Sequence, residues 1–160
     1  MENKKIKNAQ VVVYNGIKFR SKLEKSCYIA LLEQGIKASY EVEAFSLFDG
    51  FNPKVLFITK NRFKRKNKNL ELLSKRTAID NRREGTWYYT PDFYFQYGKY
   101  KIYIEAKGMY NDVARYKRKL FRKVLDRIQE NDSEHIYEYW EIYSVKQLLE
   151  CLNYLKQQLN

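Results

Sequence analysis

The residues of this chain whose types and spacing can do chemistry are Asp92, in Tyr89-Thr90-Pro91-Asp92-Phe93-Tyr94-Phe95, and Glu105 and Lys107, in Lys101-Ile102-Tyr103-Ile104-Glu105-Ala106-Lys107-Gly108. Side chains alternate across a strand, so Ile102, Ile104 and Ala106 are expected on one face and Tyr103, Glu105 and Lys107 on the other, polar one. The preceding segment alternates likewise, with Tyr89, Pro91, Phe93 and Phe95 on the apolar side and Thr90, Asp92 and Tyr94 opposite. A hairpin turning near Gly98 would bring Asp92, Glu105 and Lys107 together. Two carboxylates beside an amine offer oxygen ligands to a hard divalent cation and a positive group to an attacked phosphate, the needs of metal-assisted phosphodiester hydrolysis. The plainer reading is of solvated strand residues, one acid paired with Lys107 in a surface ion pair worth about 0–1 kcal/mol.

A third acid, Glu24, opens a segment in which Leu23, Cys27, Ala30 and Leu31 recur at helical spacing up to Gly35. Ser21-x-x-Glu24 is a capping-box pattern, which gives Glu24 a structural reason to be there. The functional alternative is that Glu24 faces the sheet and joins the site through a water or an outer contact.

The elements that must position these acids can be read in outline. Gln10 to Val13 and Ile17 to Phe19 form a small hairpin about Asn15-Gly16, and a helix follows over 21–34. Strands are expected at 39–48, 53–59, 87–95 and 100–107. Between the second and third lies a basic segment, roughly 60–86, in which residues 61–68 lack apolar periodicity and read as a loop or short helix. Residues 112–130 form a helix with Val113, Tyr116, Leu120, Val124 and Ile128 inward and Arg115, Arg118, Lys119 and Arg122 outward. His135 to Tyr143 is a further strand, whose Tyr137, Tyr139, Trp140 and Tyr143 read as packing residues, although tyrosines near a basic groove can stack on unpaired bases. Ser144 caps a last helix with the stripe Val145, Leu148, Leu149, Leu152, Leu155 and Leu159.

Composition narrows the chemistry. The chain has 160 residues, 44% of them hydrophobic, and two cysteines, which suits one domain with a real core. Cys27 and Cys151 lack zinc spacing and are expected as buried free thiols, and the lone His135 cannot build a histidine metal site. Carboxylates remain, which favour magnesium or manganese. No long apolar run marks a membrane span or signal peptide, so a soluble, cytoplasmic protein is expected.

The net charge is +12, and it is clustered. Residues 54–76 carry nine Lys or Arg against Glu71, among them Lys60, Arg62, Lys64, Arg65, Lys66 and Lys68. Residues 112–127 carry seven against two acids, and the rest of the chain is nearly neutral. Such clustering suits a polyanion, because neutralised phosphates release counterions. DNA is the expected partner, with Lys60, Arg62, Lys64, Arg65, Lys66 and Lys68 as a clamp and Arg115, Arg118, Lys119 and Arg122 as a second contact. Solvated charge kept for solubility is the alternative for the first cluster.

The run Phe19-Arg20-Ser21-x-Leu23-Glu24, then Gly35-Ile36, Tyr40-Glu41, Tyr89-Thr90-Pro91-Asp92-Phe93 and Glu105-Ala106-Lys107-Gly108-Met109-Tyr110, resembles the phage endonuclease I group of the PD-(D/E)XK nuclease superfamily. The likeness covers residues 17–41 and 88–125. It implies an α/β fold, a mixed central sheet flanked by helices with a restriction-endonuclease-like αβββαβ core, here with a C-terminal helix. It also implies a magnesium- or manganese-dependent endodeoxyribonuclease that leaves a 5′-phosphate. The catalytic positions it matches are Glu24, Asp92, Glu105 and Lys107, with metal held by Asp92, Glu105 and the Ala106 carbonyl. Members of the group cut branched DNA, including four-way junctions. A phage-encoded enzyme of this kind would work in the host cytoplasm.

Residues 42–91 separate Glu41 from Asp92 more widely than in that group, so a basic insertion at about 50–86 is expected within a single nuclease domain, 1–160. The group forms interlocked dimers in which one chain's first helix completes the other's site. A homodimer of that kind is set against a monomer that nicks. A non-catalytic nucleic-acid-binding protein that keeps the fold is the alternative function.

Overall fold

The structure is a computed structural model describing residues 10–60, 70–108 and 112–159. It is an α/β protein with three helices and eleven strands among those residues. Compactness divides the chain into two units, Met1–Phe45 with Tyr89–Asn160, and Ser46–Tyr88.

The first unit opens with the hairpin β1 (Val12–Tyr14) and β2 (Ile17–Phe19). Asn15 and Gly16 turn it at φ 49° and 77°, the doubly left-handed geometry that an Asn-Gly pair supplies at least cost. Helix α1 (Lys22–Glu33) is capped by Ser21, whose hydroxyl accepts from the Glu24 N–H, and its buried face is Glu24, Cys27, Ala30 and Leu31. The hairpin of β9 (Phe93–Tyr97) and β10 (Tyr100–Ala106) turns at Gly98, φ 57°, and pairs Phe93 with Ile104 and Tyr94 with Tyr103. The short strand β3 (Ser39–Tyr40) adds to β9, and β11 (Ile136–Ile142) runs parallel to β10 after the crossover helix α2 (Asp112–Asn131). The resulting mixed sheet has the order β11-β10-β9-β3.

One face of this sheet buries Phe93, Phe95, Ile102, Ile104 and Ile142 under α1 and α3 (Val145–Gln157), which meet through Leu31 and neighbours and through Leu148, Leu152 and Leu155. Each such side chain contributes about 1.5–3 kcal/mol on burial. The other face is covered too. Phe121 of α2 is fully buried among Phe45, Tyr89, Tyr103 and Tyr139, with ring centroids 4.7–5.8 Å away. The face expected to be polar is therefore closed beneath α2, and Tyr103 is buried.

This packing corrects the helical stripe read for α2. Ala114, Phe121 and Leu125 point inward, whereas Val113 is exposed and Tyr116 is 61% exposed. A large ring with an aromatic pocket to fill fixes the helix rotation, and Val113 and Tyr116 on the flank turn outward. Cys27 is buried as expected, while Cys151 is only half-buried.

Strands expected over 39–48 and 87–95 are each interrupted. Strand β4 (Phe45–Phe48) follows β3 after a break at Glu41, whose φ of 48° is outside the strand region. Strand β8 (Trp87–Tyr89) precedes β9 after a break at Thr90-Pro91-Asp92, and β4 pairs with β8.

The second unit contains β5 (Ile58–Lys60), β6 (Leu70–Leu72) and β7 (Thr77–Asp80), an antiparallel sheet of order β5-β7-β6. The loop or short helix expected at 61–68 lies outside the described residues, and the rest of the 60–86 segment is partly sheet. Its strands are too short for periodicity to register, and Ala78 is the buried residue at the centre of the middle one. No helix among the described residues is long and apolar enough to cross a membrane.

Candidate functional site

Asp92 sits in the break between β8 and β9, one step beyond the Phe93–Ile104 pair, and so falls level with the end of β10. It is 7% exposed, and its Oδ2 accepts the Ala106 N–H at 2.7 Å. That backbone bond is available because the ladder turns Ala106 toward the β9 side, while Lys107 N–H donates to Ile142 O on the other side. By the same alternation the Ala106 carbonyl also turns toward the Asp92 side.

Glu105 is held at both oxygens. Lys107 Nζ pairs with its Oε1, and the Tyr89 hydroxyl donates to its Oε2 at 2.5 Å while sharing a 3.0 Å bond with the Tyr139 hydroxyl. Burial, then the Glu105 charge and the Tyr139 hydroxyl, keep the Tyr89 phenol far above its usual range, so it stays protonated and keeps its one O–H on Glu105.

Glu24 lies in α1 and is buried. Its Oε2 accepts from Arg20 N–H at 2.9 Å and from the Tyr40 hydroxyl at 2.6 Å, and its Oε1 from the Ser21 hydroxyl at 2.8 Å. The carboxylate therefore caps the helix, as the Ser21-x-x-Glu24 spacing suggests. It also bears on Asp92 electrostatically, and it does so within one chain, because α1 packs on its own chain's sheet.

Burial raises the Asp92 carboxyl to about 8, the Glu105 charge adds to the shift, the Ala106 N–H opposes it, and Glu24 contributes further. Cys27 feels the same field. Its thiol is pushed up to about 12, chiefly by burial and then by Asp92 and Glu24, which makes it an inert neighbour.

Sequence reasoning gave Glu41 no role, although it stands in the Tyr40-Glu41 pair. Its backbone is left-handed, its N–H donates to Asp92 O at 3.0 Å, and its Oε1 lies 2.7 Å from an Arg20 nitrogen as an ion pair without an aligned hydrogen bond. Burial raises its pKa, against the opposing effect of Arg20, and the charges of Glu24 and then Glu105 raise it further. A non-glycine residue in this conformation costs about 1–3 kcal/mol and is found where surrounding structure imposes it. Tyr40, Tyr89 and Tyr139 were also missed as members of the site. Tyr40 and Tyr89 stand within the motif runs, whereas Tyr139 had only its aromatic character, which fits core packing equally well.

Four carboxylates, Glu24, Glu41, Asp92 and Glu105, thus face two cations, Arg20 and Lys107. The donor set is oxygen throughout and carries excess negative charge, which suits a hard dication in chemistry and sign. As the side chains stand, no three acidic, histidine or cysteine groups among the described residues close on one metal position. Magnesium needs only one or two carboxylates, with water completing its shell.

No family model, curated protein or solved structure matches the chain.

Of the basic residues read as DNA contacts, Arg62, Lys64, Arg65, Lys66 and Lys68 lie outside the described residues. Lys60 ends β5 and is exposed. On α2, Arg115, Lys119 and Arg122 are exposed, whereas Arg118 is half-buried and its Nη1 donates to Glu141 Oε2 at 3.0 Å.

Proposed function

We propose that this protein is a metal-dependent endodeoxyribonuclease that hydrolyses DNA phosphodiester bonds, with branched DNA as a candidate substrate. The observation that carries the reading is the meeting of Asp92 and Glu105 at the end of the β9–β10 hairpin, with Lys107 already on Glu105. The chain order α1, β3, β9, β10, α2, β11 around one mixed sheet supports it, being compatible with the helix, three strands, helix and strand that the resemblance implies.

Asp92, Glu105 and the Ala106 carbonyl are the residues that would hold Mg²⁺ or Mn²⁺. When bound, such an ion lowers the pKa of its water and neutralises charge developing on the phosphate. Lys107 orients the attacking water and donates to a phosphoryl oxygen once it leaves Glu105. Tyr89 fixes the Glu105 carboxylate, and Glu24 holds the start of α1 while adding to the field at Asp92. Arg115, Lys119 and Arg122 bind phosphates along the strand.

A non-catalytic DNA-binding protein is the second reading, favoured by the closed Glu105–Lys107 pair and the lack of three converging acids among the described residues. Plasmid nicking in Mg²⁺ and in EDTA distinguishes the two. Wild type is expected to nick only with Mg²⁺, and Asp92→Ala, Glu105→Ala and Lys107→Ala to lose cutting while still binding DNA. Normal nicking by Asp92→Ala would sink the assignment.

A further inference from the structure

Among the described residues strand β11 is an edge of the main sheet, open at its centre. Ile136 N–H donates to Lys99 O, and Ile142 O accepts from Lys107 N–H. Even-numbered residues of β11 therefore turn both backbone groups toward β10, and odd-numbered ones turn theirs outward. At the strand's two ends glutamine side chains take the outward groups. Gln129 Oε1 accepts from Tyr137 N–H at 2.9 Å, and Gln147 Nε2 donates to Glu141 O at 2.9 Å. Each amide stands where the peptide of another strand would pair, which blocks a long strand from adding there. Between them the N–H and C=O of Tyr139 have no strand neighbour among the described residues.

These groups open on a groove of about 600 Å³ that reaches from α2 to α3 around the strand edge. On the α3 side stands Tyr154, 53% exposed. On the α2 side stand Arg118 and the exposed Arg122. Glu141 lines the groove as well, and its Oε1 is buried without a hydrogen-bond partner among the described residues, a condition that costs about 1–3 kcal/mol until a donor arrives. Glu141 is directly beside Glu105 in the β10–β11 register, so the groove lies about one strand spacing, roughly 4.8 Å, from the candidate active site.

A window one residue wide, walled by a tyrosine and an arginine, with the buried Glu141 Oε1 behind it, fits a flat hydrogen-bonding ring better than a peptide strand. We propose that this groove receives one unpaired nucleobase of a DNA strand whose backbone passes the acidic site. The base edge meets Tyr139 backbone and gives an exocyclic amine to the Glu141 carboxylate, which turns its buried Oε1 outward to take it; the ring lies against Tyr154, and the attached phosphate meets Arg122. Adenine, cytosine and guanine carry such an amine; thymine does not. The inference rests on the DNA-cleaving reading above and names what that site would prefer: strands with unpaired bases beside the cut.

Anisotropy titrations with Ca²⁺ in place of Mg²⁺ test this without requiring cleavage. The probes are labelled short oligodeoxycytidylate, oligodeoxythymidylate and a blunt duplex, against wild type, Tyr154→Ala and Arg122→Ser. Wild type is expected to bind the cytidylate more tightly than the thymidylate. Loss of one base–aromatic stack in Tyr154→Ala should weaken cytidylate binding roughly 5- to 100-fold and leave the duplex unchanged. Arg122→Ser should lower the salt slope by about 0.7 for the single strand. Equal affinity for the two strands, or an equal effect of Tyr154→Ala on strand and duplex, overturns the proposal. The two readings fail separately: a protein that binds the strands as expected but never nicks with Mg²⁺ loses the nuclease assignment alone, and one that nicks but ignores Tyr154→Ala loses the groove alone.

Discussion

Glu24 offers the sharpest test of how structure and chemistry divide at one residue. Its carboxylate receives Arg20 N–H, the Ser21 hydroxyl and the Tyr40 hydroxyl. A glutamine can keep its oxygen where Oε2 stands, for Arg20 and Tyr40, and turn its amide toward Ser21 Oγ, because a hydroxyl accepts as well as donates. Lost are the charge assistance of these bonds, about 1 kcal/mol, and a favourable charge in the first helical turn, about 0.3–1 kcal/mol. Glu24→Gln is therefore expected to lie within about 1–2 kcal/mol of wild type. Glu24→Ala leaves three donors without their acceptor and should lose about 3 kcal/mol or more. At about 2–4 °C per kcal/mol for a chain of this size, the Tm shifts are about 2–8 °C for Gln and 6–12 °C or more for Ala. Thermal unfolding in EDTA reads the stability, and Mg²⁺-dependent nicking reads the site. If Glu24 sets the field at Asp92, nicking by Glu24→Gln falls at least about tenfold, some 1.4 kcal/mol of barrier, with most of the fold intact. A Gln variant that melts as low as the Ala variant would refute the capping argument, and one that nicks at the full rate would leave Glu24 with the cap alone.

Tyr89→Phe removes the donor to Glu105 Oε2 and should lower stability by about 1.5–3 kcal/mol, read as a shifted urea midpoint; no shift would mean that Tyr139 replaces the lost bond. Because Glu24 and Asp92 serve one chain's site here, Glu24→Gln and Asp92→Ala proteins refolded together should remain as inactive as either alone, and recovered nicking would mean that α1 exchanges between copies.

Much of the local order was legible in the residues themselves. Asn15-Gly16 dictates its hairpin, Ser21 and Ser144 start their helices, and the alternation through Phe93, Phe95, Ile102 and Ile104 with Gly98 between them gives the strand pair that aligns Asp92 with Glu105. These features depend on neighbours a few residues apart, whose sterics and hydrogen bonds act wherever the segment ends up. What lay beyond the sequence depends on partners far along the chain. The rotation of α2 was decided by the pocket that Phe45, Tyr89, Tyr103 and Tyr139 make for Phe121, which no periodicity within the helix encodes. Glu41 and Tyr40 joined the acids only because β3 pairs with β9, and Tyr139 reached Tyr89 only because β11 lies beside β10. The residue types at the site were therefore written locally, whereas its hydrogen bonds, its burial and the shift at Asp92 are properties of segments brought together by the packed core.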